Sequence, residues 1–153
     1  MKKSFFILIA TFGLAACQQQ VAEESGPSQQ DLNKETVVAF YDAAINNKDF
    51  EAASAYLGDR YTQHNPLAAD GPEGLKAFLD FAKDNLSSFK VEFKRVLADG
   101  DFVIVHAHAT SGQPEDRGSA VMDIFRLEDG KVVEHWDVIQ PIPETARNEN
   151  TMF

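Results

Sequence analysis

Residues 101–137 read DFVIVHAHATSGQPEDRGSAVMDIFRLEDGKVVEHWD, and the fold follows from them. Apolar and polar residues alternate with period two in three successive runs: Phe102 to Thr110, Ser119 to Leu127 and Lys131 to Ile139. Gly112 to Gly118 reads as a loop, and Glu128-Asp129-Gly130 as a turn. The runs therefore form an antiparallel meander. On the first strand His106 and His108 share a face with Phe102 and Ile104, while Val103, Val105, Ala107 and Ala109 take the other. On the second, Asp123 shares a face with Val121, Phe125 and Leu127. A carboxylate in that apolar row is the least expected residue of the stretch. Burial there would favour its acid form.

The turn decides what lies opposite Asp123. A three-residue loop with Gly130 left-handed pairs Leu127 with Lys131 and sets Asp123 opposite His135. A two-residue Asp129-Gly130 turn sets it opposite Trp136 instead. The first is favoured, because it also puts Val133 opposite Phe125. A slip of one residue exchanges the whole set.

Upstream the period changes. From Phe89 to Arg95 it is still two, with Phe89, Val91, Phe93 and Arg95 on one face and Ala98 to Asp101 as a turn. Before that, three helices are predicted. The first runs from Asp31 or Asn33 to Asn47, with Val37, Val38, Phe40, Tyr41, Ala44 and Ile45 as its apolar stripe. The second is short, capped by Asp49 and stopped by Gly58. Tyr61 to Pro66 is an extended piece. The third starts at Pro72, with Leu75, Phe78, Leu79, Ala82 and Leu86 on one face. Helices followed by a meander give an α+β class, three N-terminal helices packed on a curved antiparallel sheet. The domain spans 31–141, and 142–153 is a polar tail on which Met152 and Phe153 could dock.

The first residues read as an address. Lys2 and Lys3 precede a short apolar run, Phe5 to Phe12, and Leu14-Ala15-Ala16-Cys17 follows. This order resembles the lipobox of bacterial lipoproteins over residues 1–20. The resemblance implies cleavage after residue 16, lipid on Cys17 and stable membrane anchoring. Gln18 in place of Asp points to the outer membrane, with the domain facing the periplasm. Residues 17–30, rich in Gln, Ser and Glu, read as a flexible tether. A net charge of −10 argues against a nucleic-acid partner, which needs a basic face. The chain has one cysteine, so no disulfide staples its core.

The element order and several short stretches resemble the cone-shaped fold of nuclear transport factor 2 (NTF2-like). Within it they resemble the SnoaL-like, polyketide-cyclase-like proteins. The stretches are Phe40-Tyr41, Tyr61 to Pro66, Gly100-Asp101-Phe102-Val103, Asp123 to Arg126 and Asp129 to Trp136. By resemblance to ketosteroid isomerase, which shares the cone, Tyr41 matches its tyrosine and Asp123 its protonated aspartic acid. Asn65 stands where its basic aspartate belongs, and Asn cannot abstract a proton. The cyclase-like relatives imply instead a His and a strand Asp as acid–base pair, here His108 and Asp123. The implied chemistry is cofactor-free removal of a proton beside a carbonyl. Tyr41 and Asn65 would hold the oxyanion, and His64, His106, His135 and Trp136 would contact the substrate. The expected partner is a small hydrophobic or carbonyl-containing molecule. A homodimer through the outer sheet face is expected by the same analogy. A non-catalytic envelope protein that binds a hydrophobic ligand is the alternative.

His106-Ala107-His108 also places two imidazoles on one strand face, as metal sites do. Gly100, His106 and His108 start like the first cupin motif. Gly112 and Gln113 then stand where its glutamate should be. No metal is expected, and a metal enzyme built on His106 and His108 is the second alternative.

Overall fold

The computed structural model describes residues 26–153. The expected signal segment, Cys17 and most of the tether lie outside them. Helix α1 spans Gln29–Tyr41 and runs on as a π-helical turn, Asp42–Asn46. Ser28 caps it in a reciprocal capping box with Asp31, so it begins two residues before the earliest start expected. Helix α2 is Phe50–Ser54, strand β1 Leu57–Gln63 and helix α3 Gly71–Asn85. The meander is β2 Lys90–Asp99, β3 Phe102–Thr110, β4 Ser119–Glu128 and β5 Lys131–Pro141. No helix of the described residues is long and apolar enough to cross a membrane.

The strands form one sheet in the order β1-β5-β4-β3-β2. The meander is antiparallel as expected, but β1 lies parallel to β5, so the sheet is mixed. The expected stop at Gly58 is also corrected. Asp49 does cap α2, its side chain accepting from Ala52 N, but Gly58 lies in β1. A Cβ on Gly58 would stand 2.7 Å from Val133 Cγ1, so glycine is what lets β1 approach β5 there.

Two bulges set the side-chain faces. In β2 the register shifts between Phe93 and Arg95. Arg95 therefore joins His106 on the outer face, not Phe93 on the inner one, and Val96 and Ala98 turn to the core. In the β4–β5 hairpin, Asp129 and Gly130 have φ of 49° and 72°. Positive φ at both central residues makes a two-residue turn, which pairs Glu128 with Lys131. Then Leu127 pairs with Val132 and Arg126 with Glu134, leaving Val133 as the extra residue. Both registers expected from the sequence are overturned. Asp123 lies opposite Asp137, Ile124 opposite Trp136, and Phe125 opposite His135.

The helices cover the inner face. Phe40, Leu79, Val103, Val105, Phe125, Leu127 and Val132 are almost fully buried between the layers. Asn46 ties the end of the π turn to β2, its amide both accepting from Val91 N and donating to Val91 O. At the other end of α1, Asn33 Nδ2 donates to Gly100 O in the β2–β3 turn. The outer face is partly apolar, with Leu97, Phe102, Met122, Ile124 and Val138 exposed. The end of the chain docks there: the Phe153 ring lies 4.7 Å from that of His108 and 5.5 Å from that of His106.

Candidate functional site

The inner face of the sheet, α1, α3 and β1 enclose a cavity of about 570 Å³. That is within the range of small-molecule sites. Its wall is largely apolar and aromatic, with Phe40, Phe78, Phe89 and Phe125 among the lining residues. The polar groups converge from four elements. Asp123 comes from β4, and His135 and Asp137 from β5. Tyr61 and Gln63 come from β1, with Asn65 two residues further on the same side, as strand alternation dictates. Tyr41 reaches in from the last turn of α1.

Hydrogen bonds fix where the protons sit. Gln63 Oε1 accepts from the backbone N–H of Asn65 at 2.8 Å, so that atom is the amide oxygen. His135 Nδ1 lies 3.0 Å from the same oxygen and must donate to it. His135 Nε2 then faces Asp123 Oδ1 at 3.1 Å, and that contact needs one further proton, on either partner. Asp123 and His135 therefore share a proton and are neutral as a pair. Tyr41 donates its hydroxyl proton to Asp123 Oδ2 at 3.2 Å. Burial pushes the Asp123 carboxyl above its ordinary range, against the His135 and Tyr41 hydrogen bonds that favour its charge. Burial and the Asp123 charge push both tyrosines upward, so they stay protonated donors.

Asn65 is satisfied at both ends. Its Nδ2 donates to Asp137 Oδ2 at 2.7 Å, and its Oδ1 accepts from Leu67 N at 2.8 Å. Tyr61 is different. It is 4% exposed and accepts a long bond from Gln63 Nε2, but its own proton has no acceptor among the described residues. It is the buried hydroxyl with a donor to spare for a ligand.

Of the residues singled out from the sequence, Asp123, His135, Tyr41 and Asn65 meet in the cavity. Four others do not. His108 cannot set the charge of Asp123, because they lie on opposite faces of the sheet. His108 pairs with Ala120 while Asp123 pairs with Val105, and His108 Nε2 sits 2.8 Å from Arg117 O. His106 is on the same outer face, its Nδ1 3.0 Å from an Arg95 nitrogen. His64 stacks on Trp136 at 4.6 Å on that face too, and its Nε2 bonds Glu134 at 2.8 Å. These four were misplaced for one reason: strand parity sends them away from the helices. The His135 imidazole occupies the place expected for that of His108. Gln63 and Tyr61 were missed, and Asp137, read from the sequence as a rim residue, lines the cavity. The period-two spacing of 61, 63 and 65, and of 135 and 137, is the signal that groups them.

Among the described residues, one group could hold a metal ion: Asp123, His135 and Asp137, with ligand atoms within 4.8 Å of one another. His106 and His108 belong to no such group. Gln63, Tyr41 and a shared proton already satisfy Asp123 and His135, which suits proton transfer directly.

Comparison with known proteins agrees with this architecture. Residues 37–135 match the SnoaL-like domain. Among solved structures, a candidate polyketide cyclase from Bacillus cereus is similar at 21% identity and a TM-score of 0.62. The match covers 74% of this chain and 78% of that one. An NTF2-like protein of unknown function from Cytophaga hutchinsonii gives 20% and 0.57, covering 71% and 90%. An LEH-like epoxide hydrolase from M. tuberculosis gives 20% and 0.59, covering 74% and 86%. At these identities the structures speak for the fold. No curated protein matches the chain. With the family match spanning residues 37–135 and the cone in place, the chain belongs to the SnoaL-like domain family.

Proposed function

We propose that this protein is a cofactor-free acid–base catalyst acting on a small, largely apolar carbonyl compound, a lyase, isomerase or cyclase in reaction class. One observation carries the reading: the Asp123–His135 pair shares a single proton inside an apolar cavity. With that proton on His135, the Asp123 carboxylate takes a proton from the carbon beside the carbonyl. The Tyr61 hydroxyl, whose proton is unspent, hydrogen-bonds the enolate oxygen. Asp123 then returns the proton to a different carbon, or the enolate attacks a second carbonyl and Asp123 gives the proton to the alkoxide that forms. Tyr61 thus takes the role that the resemblance assigned to Tyr41 and Asn65. Tyr41 gives its proton to Asp123, and Asn65 is held by Asp137 and Leu67 N.

The test is exchange of hydrogen for solvent deuterium beside the carbonyl, followed by NMR across a panel of aromatic ketones. Asp123→Asn is expected to slow the exchange at least about a hundredfold, the usual range for a general base. His108→Ala, on the outer face, is expected to leave it unchanged. Full exchange by the Asp123→Asn protein would sink the mechanism.

We also propose that the chain is lipid-anchored through Cys17 in the outer membrane, facing the periplasm. The ordered basic start, apolar run and Leu14-Ala15-Ala16-Cys17 support this. Cells fed radiolabelled palmitate should label the parent chain and not Cys17→Ser. An unlabelled parent chain would refute it.

A further inference from the structure

Three carboxylates line the cavity, those of Asp116, Asp123 and Asp137, and no lysine or arginine does. The charge of Asp123 is accounted for by His135. Asp116 sits in the 111–118 loop and spends its oxygens on Ser111 and on Gly118 N. Asp137 is left. Its Oδ2 takes the Asn65 amide, and its Oδ1 has no hydrogen-bond partner among the described residues. Phe40, Phe78, Phe89 and Phe125 line the same cavity. A carboxylate oxygen with no donor, in a cavity lined by aromatic residues and by no lysine or arginine, complements an ammonium group and repels an anion.

We infer that the cavity selects ligands carrying a protonated amine on an apolar body, with Asp137 as the residue that sets the selection. The inference rests on reading this cavity as a small-molecule site and deepens it. The ammonium sits at Asp137 Oδ1, and an acceptor oxygen of the same ligand sits at the Tyr61 hydroxyl. An apolar aminoketone satisfies both groups and presents its carbonyl to the donor that the acid–base chemistry needs. Free carboxylates and phosphate esters are excluded, because no lysine or arginine in the lining neutralises them and the His135 proton is shared with Asp123.

The test uses three molecules of one shape: 1-naphthylmethylamine, 1-naphthylmethanol and 1-naphthoic acid, titrated calorimetrically into the parent protein at pH 7.5. The amine is expected to bind about tenfold more tightly than the alcohol, with the acid weakest. Asp137→Asn keeps the shape and can still accept the Asn65 amide. It should bring amine and alcohol to equal affinity while leaving the alcohol unchanged. Equal binding of amine and alcohol by the parent would overturn the inference. So would acid binding as tight as amine binding, a preference that survives Asp137→Asn, or failure of all three to bind. No turnover is involved, so the selectivity can fail while deuterium exchange stands. The reverse holds too, because Asp123→Asn is expected to keep the amine preference.

Discussion

Phe125→Ala is expected to cost about 3–5 kcal/mol, enough to leave the domain close to unfolding. The Phe125 ring is 1% exposed and lies where helix, sheet and site meet. It meets Phe40 and Tyr41 of α1 edge-on, at 6.0 and 5.7 Å between centroids, and His135 of β5 at 4.7 Å. Truncation removes the contacts on three sides at once, and a sheet held by four neighbouring strand pairings cannot collapse to fill the space. Urea denaturation followed by circular dichroism measures the loss. Phe81→Ala serves as the contrast, since that ring is 55% exposed and its removal should cost no more than about 0.5 kcal/mol. A loss under about 1 kcal/mol at Phe125 would mean that the ring is not the joint between α1 and the sheet.

His135→Ala should be comparably damaging, about 3–5 kcal/mol near neutral pH, for an electrostatic reason. It leaves Asp123, 2% exposed, with no imidazole to share its proton. The sign of the pH dependence follows from burial, which raises the Asp123 carboxyl above its unfolded value. A raised group contributes stability that is complete below the unfolded value and is lost as pH rises through the folded one. The His135→Ala protein should therefore lie nearer the parent at pH 4 than at pH 8. Adding Asp123→Asn should recover much of the loss at pH 8, because the neutral amide needs no counter-charge. Urea midpoints of parent, single and double variants at both pH values decide it. A loss that is equal at pH 4 and pH 8 and unrelieved by Asp123→Asn would show that His135 acts by packing alone.

Much of the architecture can be read from local pattern. The alternation through Phe102–Thr110 and Ser119–Leu127 predicts which residues share a strand face, and those faces hold. Asp123 was conspicuous as a carboxylate in an apolar row. What local pattern leaves open is how one strand's face maps onto its neighbour's. The 111–118 loop is too long to fix register by turn geometry, so nothing local separates His108 from Asp123. The bulges are set by distant contacts: Val133 is displaced where Gly58 of β1 leaves room for it. Asp137 comes to lie opposite Asp123 only because Val133 is the extra residue, which no local pattern announces. The parallel pairing of β1 with β5 is likewise a tertiary fact, since the chain returns beside β1 only after a helix and three strands.

The extra residue at Val133 makes β5 two half-ladders out of phase. Deleting Val133 alone would close the ladder: Val132 and Glu134 would become consecutive opposite Leu127 and Arg126, and His135 and Asp137 would stay inside. Deleting Val132 together with Val133 would set Trp136 opposite Phe125 on the inside and send His135 and Asp137 to the outer face. Two chains with nearly the same letters from Lys131 to Pro141 can thus enclose different chemistry, one acidic and one aromatic. In this part of the cone, a reactive interior is inherited with strand phase, and catalytic residues pass between homologues only where that phase is shared.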